Sequence, residues 1–153
     1  MDPSKVEIPE EHKAYNYSNG CHYDGNWRAN RRHGQGTFKW PGGAIYRGEF
    51  KNDRRNGPGA LTYSDTSSYE GEWRNDMKEG QGTFVWPGGA KYVGQFRDDQ
   101  MHGMGTFTWE SNSSYSGEWR NNKKNGRGKM VFKDGATYEG QWKDDKRHGE
   151  GQM

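Results

Sequence analysis

Aliphatic side chains are scarce in this sequence. Only one of its 153 residues is leucine and two are isoleucine, and all hydrophobic residues together make up 27% of the chain. A compact globular core of this size needs many aliphatic side chains, so the composition excludes an ordinary globular domain. The apolar residues must instead be spread along a thin, extended structure.

Other absences exclude further classes of protein. Cys21 is the single cysteine, which excludes an internal disulfide framework and is typical of a reducing compartment. No apolar run has the length of a membrane-spanning helix, and the N-terminal MDPSKVEIPEE lacks the apolar segment of a secretory signal. We therefore expect a location in the cytoplasm or at the cytoplasmic face of a membrane. A net charge of +2 gives no indication of a nucleic-acid partner.

Patterns of catalytic and metal-binding residues are also missing. The sequence has no glycine-rich phosphate loop, no His-Glu-x-x-His and no paired cysteines. Cys21 and His22 are neighbours in a predicted strand and therefore point to opposite faces, which separates them as a nucleophile and base. The histidines His33, His102 and His148 belong to different repeats, too far apart for a shared metal. We expect no enzymatic activity, no cofactor and no metal.

Tyrosine recurs every 23 residues, and glycine always follows two positions later. A fixed period of this size predicts a repeat array. Within each copy, apolar residues alternate in steps of two, which is typical of half-buried strands. In the second copy this predicts strands over 46–50 and 57–63, a six-residue polar connection over 51–56 and a link over 64–68. The recurring tyrosines are Tyr23, Tyr46, Tyr69, Tyr92, Tyr115 and Tyr138.

The alternation sorts the side chains into two faces. Every Tyr, Trp and Phe falls on one face, whereas Glu, Gln, Thr, Lys and Arg fall on the other. Of the 24 glycines, 18 fall on the aromatic face, where we expect each to make room for a ring lying over the bare backbone. The predicted fold is all-β, an elongated, single-layer, twisted antiparallel meander of repeated β-hairpins.

The repeats also predict the domain organisation. Residues 1–14 show no periodicity and are expected to be irregular, and residues 15–22 form a half-repeat whose strand caps the first edge of the array. Residues 23–153 contain six tandem repeats, the last one truncated. Because the last repeat stops before its aromatic pair, we expect either a chain cut from a longer protein or a homodimer that covers the uncapped end.

The repeating unit is Tyr-x-Gly-Glu-Trp, a polar stretch, and His-Gly-x-Gly-x-Phe, as in YEGEWRNDMKEGQGTFVWPGG of the third copy. Over residues 15–153 this unit resembles the MORN (membrane occupation and recognition nexus) repeat, with Asn26, Gln95 and Gln141 in place of the glutamate. The resemblance implies a rod with an aromatic groove. It also implies roles as a scaffold in cilia, cytoskeletal assemblies or membrane junctions, as a phospholipid-binding region, or as the targeting region of a longer enzyme.

A single-layer sheet leaves its aromatic face uncovered, and exposed apolar patches of this kind mark interaction sites. Tyr and Trp are enriched at binding hot spots. We therefore predict a non-enzymatic scaffold that binds an elongated protein segment, a helix or an extended peptide, with Trp27, Trp73 and Trp119 as anchors. The predicted groove residues are Tyr23, Trp27, Tyr46, Phe50, Tyr69, Trp73, Tyr92, Phe96, Tyr115, Trp119, Tyr138 and Trp142.

The predicted hairpin loops suggest an alternative function. Together the six segments contain 15 Lys and Arg against 7 Asp and Glu; they span residues 28–33, 51–56, 74–79, 97–102, 120–125 and 143–148. Such an edge is suited to a peripheral membrane module that binds anionic phospholipids, or to an acidic partner. The alternative is that these polar loops only keep the rod soluble. The candidate contacts are Arg31, Arg32, Arg54, Arg55, Lys123 and Lys124.

Overall fold

The computed structural model describes residues 8–153, which form one open sheet of thirteen strands. Each strand pairs antiparallel with the strand before it, so the order in the sheet follows the order in the chain. The predicted all-β meander is therefore confirmed. Within the described residues no helix is long and apolar enough to cross a bilayer.

Seven-residue strands alternate with nine-residue strands along most of the sheet. The bounds are β1 Glu11–Asn16, β2 His22–Arg28, β3 Arg31–Lys39, β4 Ile45–Lys51, β5 Arg54–Thr62, β6 Ser68–Arg74, β7 Met77–Val85, β8 Lys91–Arg97, β9 Gln100–Thr108, β10 Ser114–Arg120, β11 Lys123–Val131, β12 Thr137–Lys143 and β13 Lys146–Gln152.

The predicted six-residue polar connections are wrong. Between β4 and β5, Lys51 pairs with Arg54, so only Asn52 and Asp53 lie in the turn. Their φ angles are 49° and 71°. Two successive positive φ angles are characteristic of the tight hairpin turn whose twist matches that of the strands, and Asn and Asp tolerate them best. The basic residues assigned to loops are therefore strand residues.

The prediction of irregular structure is wrong for residues 11–14. They belong to β1, which pairs with β2 from Glu11 opposite Trp27 to Asn16 opposite His22. The capping strand thus begins four residues before the predicted half-repeat. Pairing satisfies the N–H and C=O groups along the edge of β2 whatever the side-chain pattern, which explains why periodicity did not reveal it. Residues 1–7 lie outside the described part of the chain.

Each hairpin contains a bulge that the sequence pattern did not reveal. In the second repeat Gly48 pairs with Gly59 and Phe50 with Arg55, so three residues of β5 oppose Glu49 alone. At the bulge, Gly57 has a φ of 98°, and a Cβ there would lie 3.3 Å from the Cβ of Glu49. Ring packing is therefore the wrong explanation for this glycine and its equivalents. They are Gly34, Gly57, Gly80, Gly103, Gly126 and Gly149.

Ring packing does explain the other twelve strand glycines. Gly71 and Gly82 face each other across β6 and β7, and a Cβ on Gly71 would lie 2.5 Å from the Cα of Gly82. A Cβ on Gly82 would lie 2.5 Å from the ring of Tyr69. The tyrosine ring therefore covers a pair of bare backbones, as predicted. The two strands approach closely only because neither position carries a side chain.

Candidate functional site

The structure brings all twelve predicted groove residues together, but it buries them. Tyr69 has 0% exposure and Trp73 has 4%. The Tyr69 ring makes edge-to-face contacts with Trp73 in its own strand and with Phe96 in the next repeat, at centroid distances of 5.0 and 5.2 Å. The same pattern joins all twelve into what we call the buried ring chain. It runs Trp27, Tyr23, Phe50, Tyr46, Trp73, Tyr69, Phe96, Tyr92, Trp119, Tyr115, Trp142 and Tyr138.

Each of the six tyrosines in the buried ring chain also donates a hydrogen bond to a backbone carbonyl oxygen of the sheet. The Tyr69 hydroxyl donates to the carbonyl oxygen of Glu72 at 2.7 Å, opposite the bulge. Burial raises the pKa of Tyr23 and Tyr115 to about 12, and it raises the pKa of Tyr46 further. These hydroxyls serve as internal hydrogen-bond donors.

The predicted tryptophan anchors are tied to the backbone in the same way. The indole N–H groups of Trp27, Trp73 and Trp119 donate to carbonyl oxygens of the preceding strand at 3.0 to 3.1 Å. All three side chains are less than a tenth exposed. These side chains hold the sheet together, so we expect their replacement to disturb the fold as well as any contact with a partner.

A second set of rings lies at the link end of the same face and remains partly exposed. Consecutive centroid distances in this set are 5.8, 4.5, 5.0 and 4.7 Å, so the rings form one contiguous surface. We call it the outer aromatic row. Its members are Tyr63, Phe84, Trp86, Phe107 and Trp109.

Two local features define this row. Trp86 and Trp109 open five-residue links, each closed by a hydrogen bond of 2.9 Å from its own N–H, to Ala90 and Ser113 respectively. Leu61 occupies the position that a phenylalanine takes in the neighbouring repeats and so interrupts the rings before Tyr63. Sequence periodicity placed all of these rings on the correct face. It gave no signal of which would stay accessible, because that depends on where neighbouring strands end.

The six predicted basic contacts divide between the two faces. Arg32, Arg55 and Lys124 lie on the aromatic face, because each is paired across its hairpin with a buried ring of that face. The Arg55 guanidinium lies 4.5 Å from the centroid of the Trp73 ring and 3.2 Å from the carboxylate of Asp76. Arg31, Arg54 and Lys123 are exposed on the opposite face, which we call the polar face.

The cations on the aromatic face belong to a clasp between neighbouring hairpins. The Arg55 N–H donates to the Asp76 carboxylate at 2.8 Å, and the Asp76 N–H donates to the Arg55 carbonyl at 3.0 Å. Lys78 and Asp99 repeat this arrangement and were missed by sequence reasoning. In the fourth repeat Met101 and Asn122 stand at these two positions and keep the backbone contacts.

The glutamate of the repeating motif accepts a hydrogen bond from the backbone of the bulge. The Glu118 carboxylate accepts a hydrogen bond from the N–H of Arg127 in the bulge of β11, at 2.5 Å. Gln95 accepts the equivalent bond from Met104 at 2.8 Å. An amide oxygen accepts as a carboxylate does, which explains why glutamine can replace glutamate. Within residues 8–153 no three His, Cys, Asp or Glu side chains are grouped in a way that could hold a metal ion.

The geometry of ring, glycine pair, bulge and clasp recurs at the spacing that the MORN repeat model describes. That family model matches residues 23–45, 46–68, 69–91, 92–114, 115–137 and 138–153. The chain belongs to the MORN repeat family. Its MORN repeats therefore account for the whole sheet beyond β1.

Comparisons with individual proteins cover shorter stretches. The chain is 46% identical over 37 residues to alsin from Rattus norvegicus, which is 24% of this chain and 2% of alsin. It is 39% identical over 57 residues to MORN repeat-containing protein 3 from Xenopus laevis, which is 37% of this chain and 24% of that protein. The chain therefore spans a small part of each relative.

One solved structure resembles the sheet across most of its length. It is the TCP domain of SAS-4 from Drosophila melanogaster in complex with a proline-rich motif of Ana2. The TM-score is 0.48 and the identity is 12%, over 91% of this chain and 89% of that one. A likeness at this level has no bearing on function.

Proposed function

We propose that this MORN repeat array is a non-enzymatic scaffold that holds an elongated protein segment against the outer aromatic row. One observation carries the proposal: five contiguous rings stay partly exposed on a face where the twelve rings of the buried ring chain are covered. Contiguous exposed rings of this kind are typical of protein interaction surfaces.

The row is suited to binding because it is held in place before a partner arrives. Phe84 and Phe107 project from strands, Phe107 packs 6.0 Å from Trp119 of the buried ring chain, and the links hold Trp86 and Trp109. A preorganised surface loses little conformational entropy on binding. Tyr63 and Trp109 are separated by four strand spacings, about 19 Å at ~4.8 Å each. An extended segment of about six residues covers that distance.

Paired truncations test the proposal. Three baits are compared: the full chain, the double variant Trp86→Ala/Trp109→Ala and a control. The segment of a captured protein that binds the full chain is identified and then titrated against all three. The control is Val93→Ala/Met104→Ala, which removes side chains that are 45% and 57% exposed on the polar face. Hot-spot truncations weaken binding by about 2 kcal/mol or more each. We therefore expect the tryptophan variant to lose the segment and the control to retain it.

The thermal transition of each variant is measured beside its affinity. A tryptophan variant that melts like the wild type and binds the segment with unchanged affinity would contradict the proposal. So would an equal loss of affinity in the control, because that would place the partner on the polar face.

A further inference from the structure

A strip of cations runs across the turn end of the polar face. Ten Lys and Arg side chains immediately flank the two-residue turns there, and all ten are exposed. Within residues 8–153 none of them takes part in an ion pair. We call this the cation strip. Its members are Arg28, Arg31, Lys51, Arg54, Arg74, Arg97, Arg120, Lys123, Lys143 and Lys146.

Four pairs within the strip place like charges directly opposite each other. Arg28 faces Arg31 and Lys51 faces Arg54. The same arrangement recurs where Arg120 faces Lys123 and where Lys143 faces Lys146. Like charges directly opposite across an antiparallel pair destabilise a sheet. On the other face, three cations of these hairpins, Arg32, Arg55 and Lys124, are each paired with an aspartate of the next hairpin, so the repeat does accommodate compensating acids.

Two depressions open beside these pairs. One of about 760 Å³ is bordered by Arg31, Lys51, Arg54 and Arg74, together with the acidic residues Glu72 and Glu79. The other, of about 700 Å³, is bordered by Arg120, Lys123 and Lys143, together with the acidic residues Glu118 and Asp144. Both lie between one hairpin and the next. The cations therefore surround recesses rather than standing on a flat surface.

We propose that the cation strip binds an acidic segment of a protein partner, at a second surface that is independent of the outer aromatic row. Paired cations beside a recess can hold a carboxylate from two sides, and charge-assisted hydrogen bonds of this kind are strong. The bound acid would relieve the repulsion between the opposed cations. The scaffold would then join two partners, one on each face of the sheet.

The arrangement favours an acidic segment over a membrane surface. A rigid sheet turns only one of its faces toward a bilayer, so exposed rings and cations can engage the same bilayer only when they share a face. Here the exposed rings and the unpaired cations lie on opposite faces and at opposite ends of the strands. Glu72 and Glu79 in the larger recess repel any anion, but a flexible acidic segment can place its carboxylates beside the cations and away from both glutamates, whereas a continuous layer of anionic headgroups also faces the glutamates.

The test measures binding of a fluorescein-labelled twelve-residue oligoglutamate to the full chain at low and at moderate salt. The strip variant carries Lys51→Glu, Arg54→Glu, Arg120→Glu and Lys123→Glu. The control variant carries Lys39→Glu, Lys91→Glu, Lys129→Glu and Lys133→Glu, four exposed lysines toward the link end that give the same change of net charge. We expect the strip variant to lose at least tenfold in affinity while the control stays within threefold of the wild type. Affinity should fall as salt rises.

A second variant keeps the test informative if four reversals disturb folding. Arg54→Glu/Lys123→Glu converts two like-charge pairs into opposite-charge pairs. Its melting temperature should rise while its affinity for oligoglutamate falls. The proposal would be overturned if this variant showed both an unchanged affinity and no rise in melting temperature. Trp86→Ala/Trp109→Ala should bind oligoglutamate as the wild type does, which separates this surface from the outer aromatic row.

Three further outcomes would overturn the proposal. The first is no binding of oligoglutamate by the wild type at low salt. The second is an equal loss in the strip and control variants, which would indicate net charge alone. The third is strip-dependent binding to phosphatidylserine vesicles that excess oligoglutamate does not displace, which would identify a membrane surface instead.

Discussion

The Tyr69 hydroxyl donates a hydrogen bond of 2.7 Å to the carbonyl oxygen of Glu72, three residues further along the same strand. Tyr46 and Tyr115 do the same to Glu49 and Glu118. The bond holds the ring flat over the glycine pair while its hydroxyl reaches the backbone opposite the bulge. Tyrosine at this position therefore both covers the glycine pair with its ring and donates a hydrogen bond to the backbone opposite the bulge.

Removing this hydroxyl should destabilise the sheet. Tyr69→Phe keeps the ring but leaves a buried carbonyl without its donor, which we expect to lower the free energy of unfolding by about 1 to 2 kcal/mol. Tyr15→Phe is the control, because Tyr15 is 49% exposed. Urea unfolding followed by tryptophan fluorescence measures both. Equal stability of the two variants would show that the bond has no energetic role.

Substitution by alanine should be destabilising at a glycine that lies where two strands approach closely, but not at a glycine with open space around it. Gly71→Ala brings a Cβ to 2.5 Å from the Cα of Gly82 and 2.7 Å from the Tyr69 hydroxyl, whereas a Cβ on Gly42 has no neighbour within 4 Å. Overpacking of this severity costs about 1 to 3 kcal/mol, so Gly71→Ala should unfold at lower urea and Gly42→Ala should match the wild type. If both variants unfold at the same urea concentration, the close approach of the strands does not matter.

The buried tyrosines predict alkaline unfolding. Burial raises the pKa of Tyr23 and Tyr115 from 10.0 to about 12, so the folded chain holds these protons more tightly than the unfolded chain does. The resulting stability is fully present below pH 10 and is lost as the pH rises toward 12. Melting temperatures measured from pH 8 to 12 should fall above pH 10, together with a delayed rise of tyrosinate absorbance. A flat profile would contradict this.

The clasp between hairpins predicts a difference between two substitutions of one residue. Asp76→Asn keeps an acceptor for the Arg55 N–H, as Asn122 does for Met101, whereas Asp76→Ala removes it. The partly exposed ion pair is worth little, at most about 1 kcal/mol. We expect Asp76→Ala to destabilise more than Asp76→Asn in urea unfolding, and by more than Asn75→Ala, the control for the strain of alanine at a positive φ in the same turn. Equal destabilisation by the two substitutions, which both remove the charge, would mean that the charge, and not the backbone contact, holds neighbouring hairpins together.

Much of the fold follows from two simple regularities of the sequence. The 23-residue recurrence of Tyr69 and its equivalents predicts the hairpin array, and the alternation within each copy places every ring on the correct face. The lengths of the connections could not be obtained in this way. The stretch 51–56 that looked like a loop contains a tight turn at Asn52 and Asp53 between paired strand residues, and the bulge around Gly57 begins at its end.

The candidate site was predicted less well for a related reason. Alternation assigns a face but not a depth, so the prediction placed Tyr46 in the groove and left Trp86 out, although Tyr46 is fully buried and Trp86 is partly exposed. Counting the alternation back from Leu61 of the second strand would have placed Arg55 on the aromatic face and Arg54 on the polar face. The pairing of Lys51 with Arg54 required the register, which depends on the turn.

The division of the aromatic face into a buried ring chain and an outer aromatic row is tested most directly by hydroxyl-radical footprinting of the seven tryptophans. Trp40, Trp86 and Trp109 should be oxidised readily in the folded chain. Trp27, Trp73, Trp119 and Trp142, which are at most 8% exposed, should be protected until the chain unfolds. Equal oxidation of the two groups in the folded protein would contradict the division and, with it, the proposed binding surface.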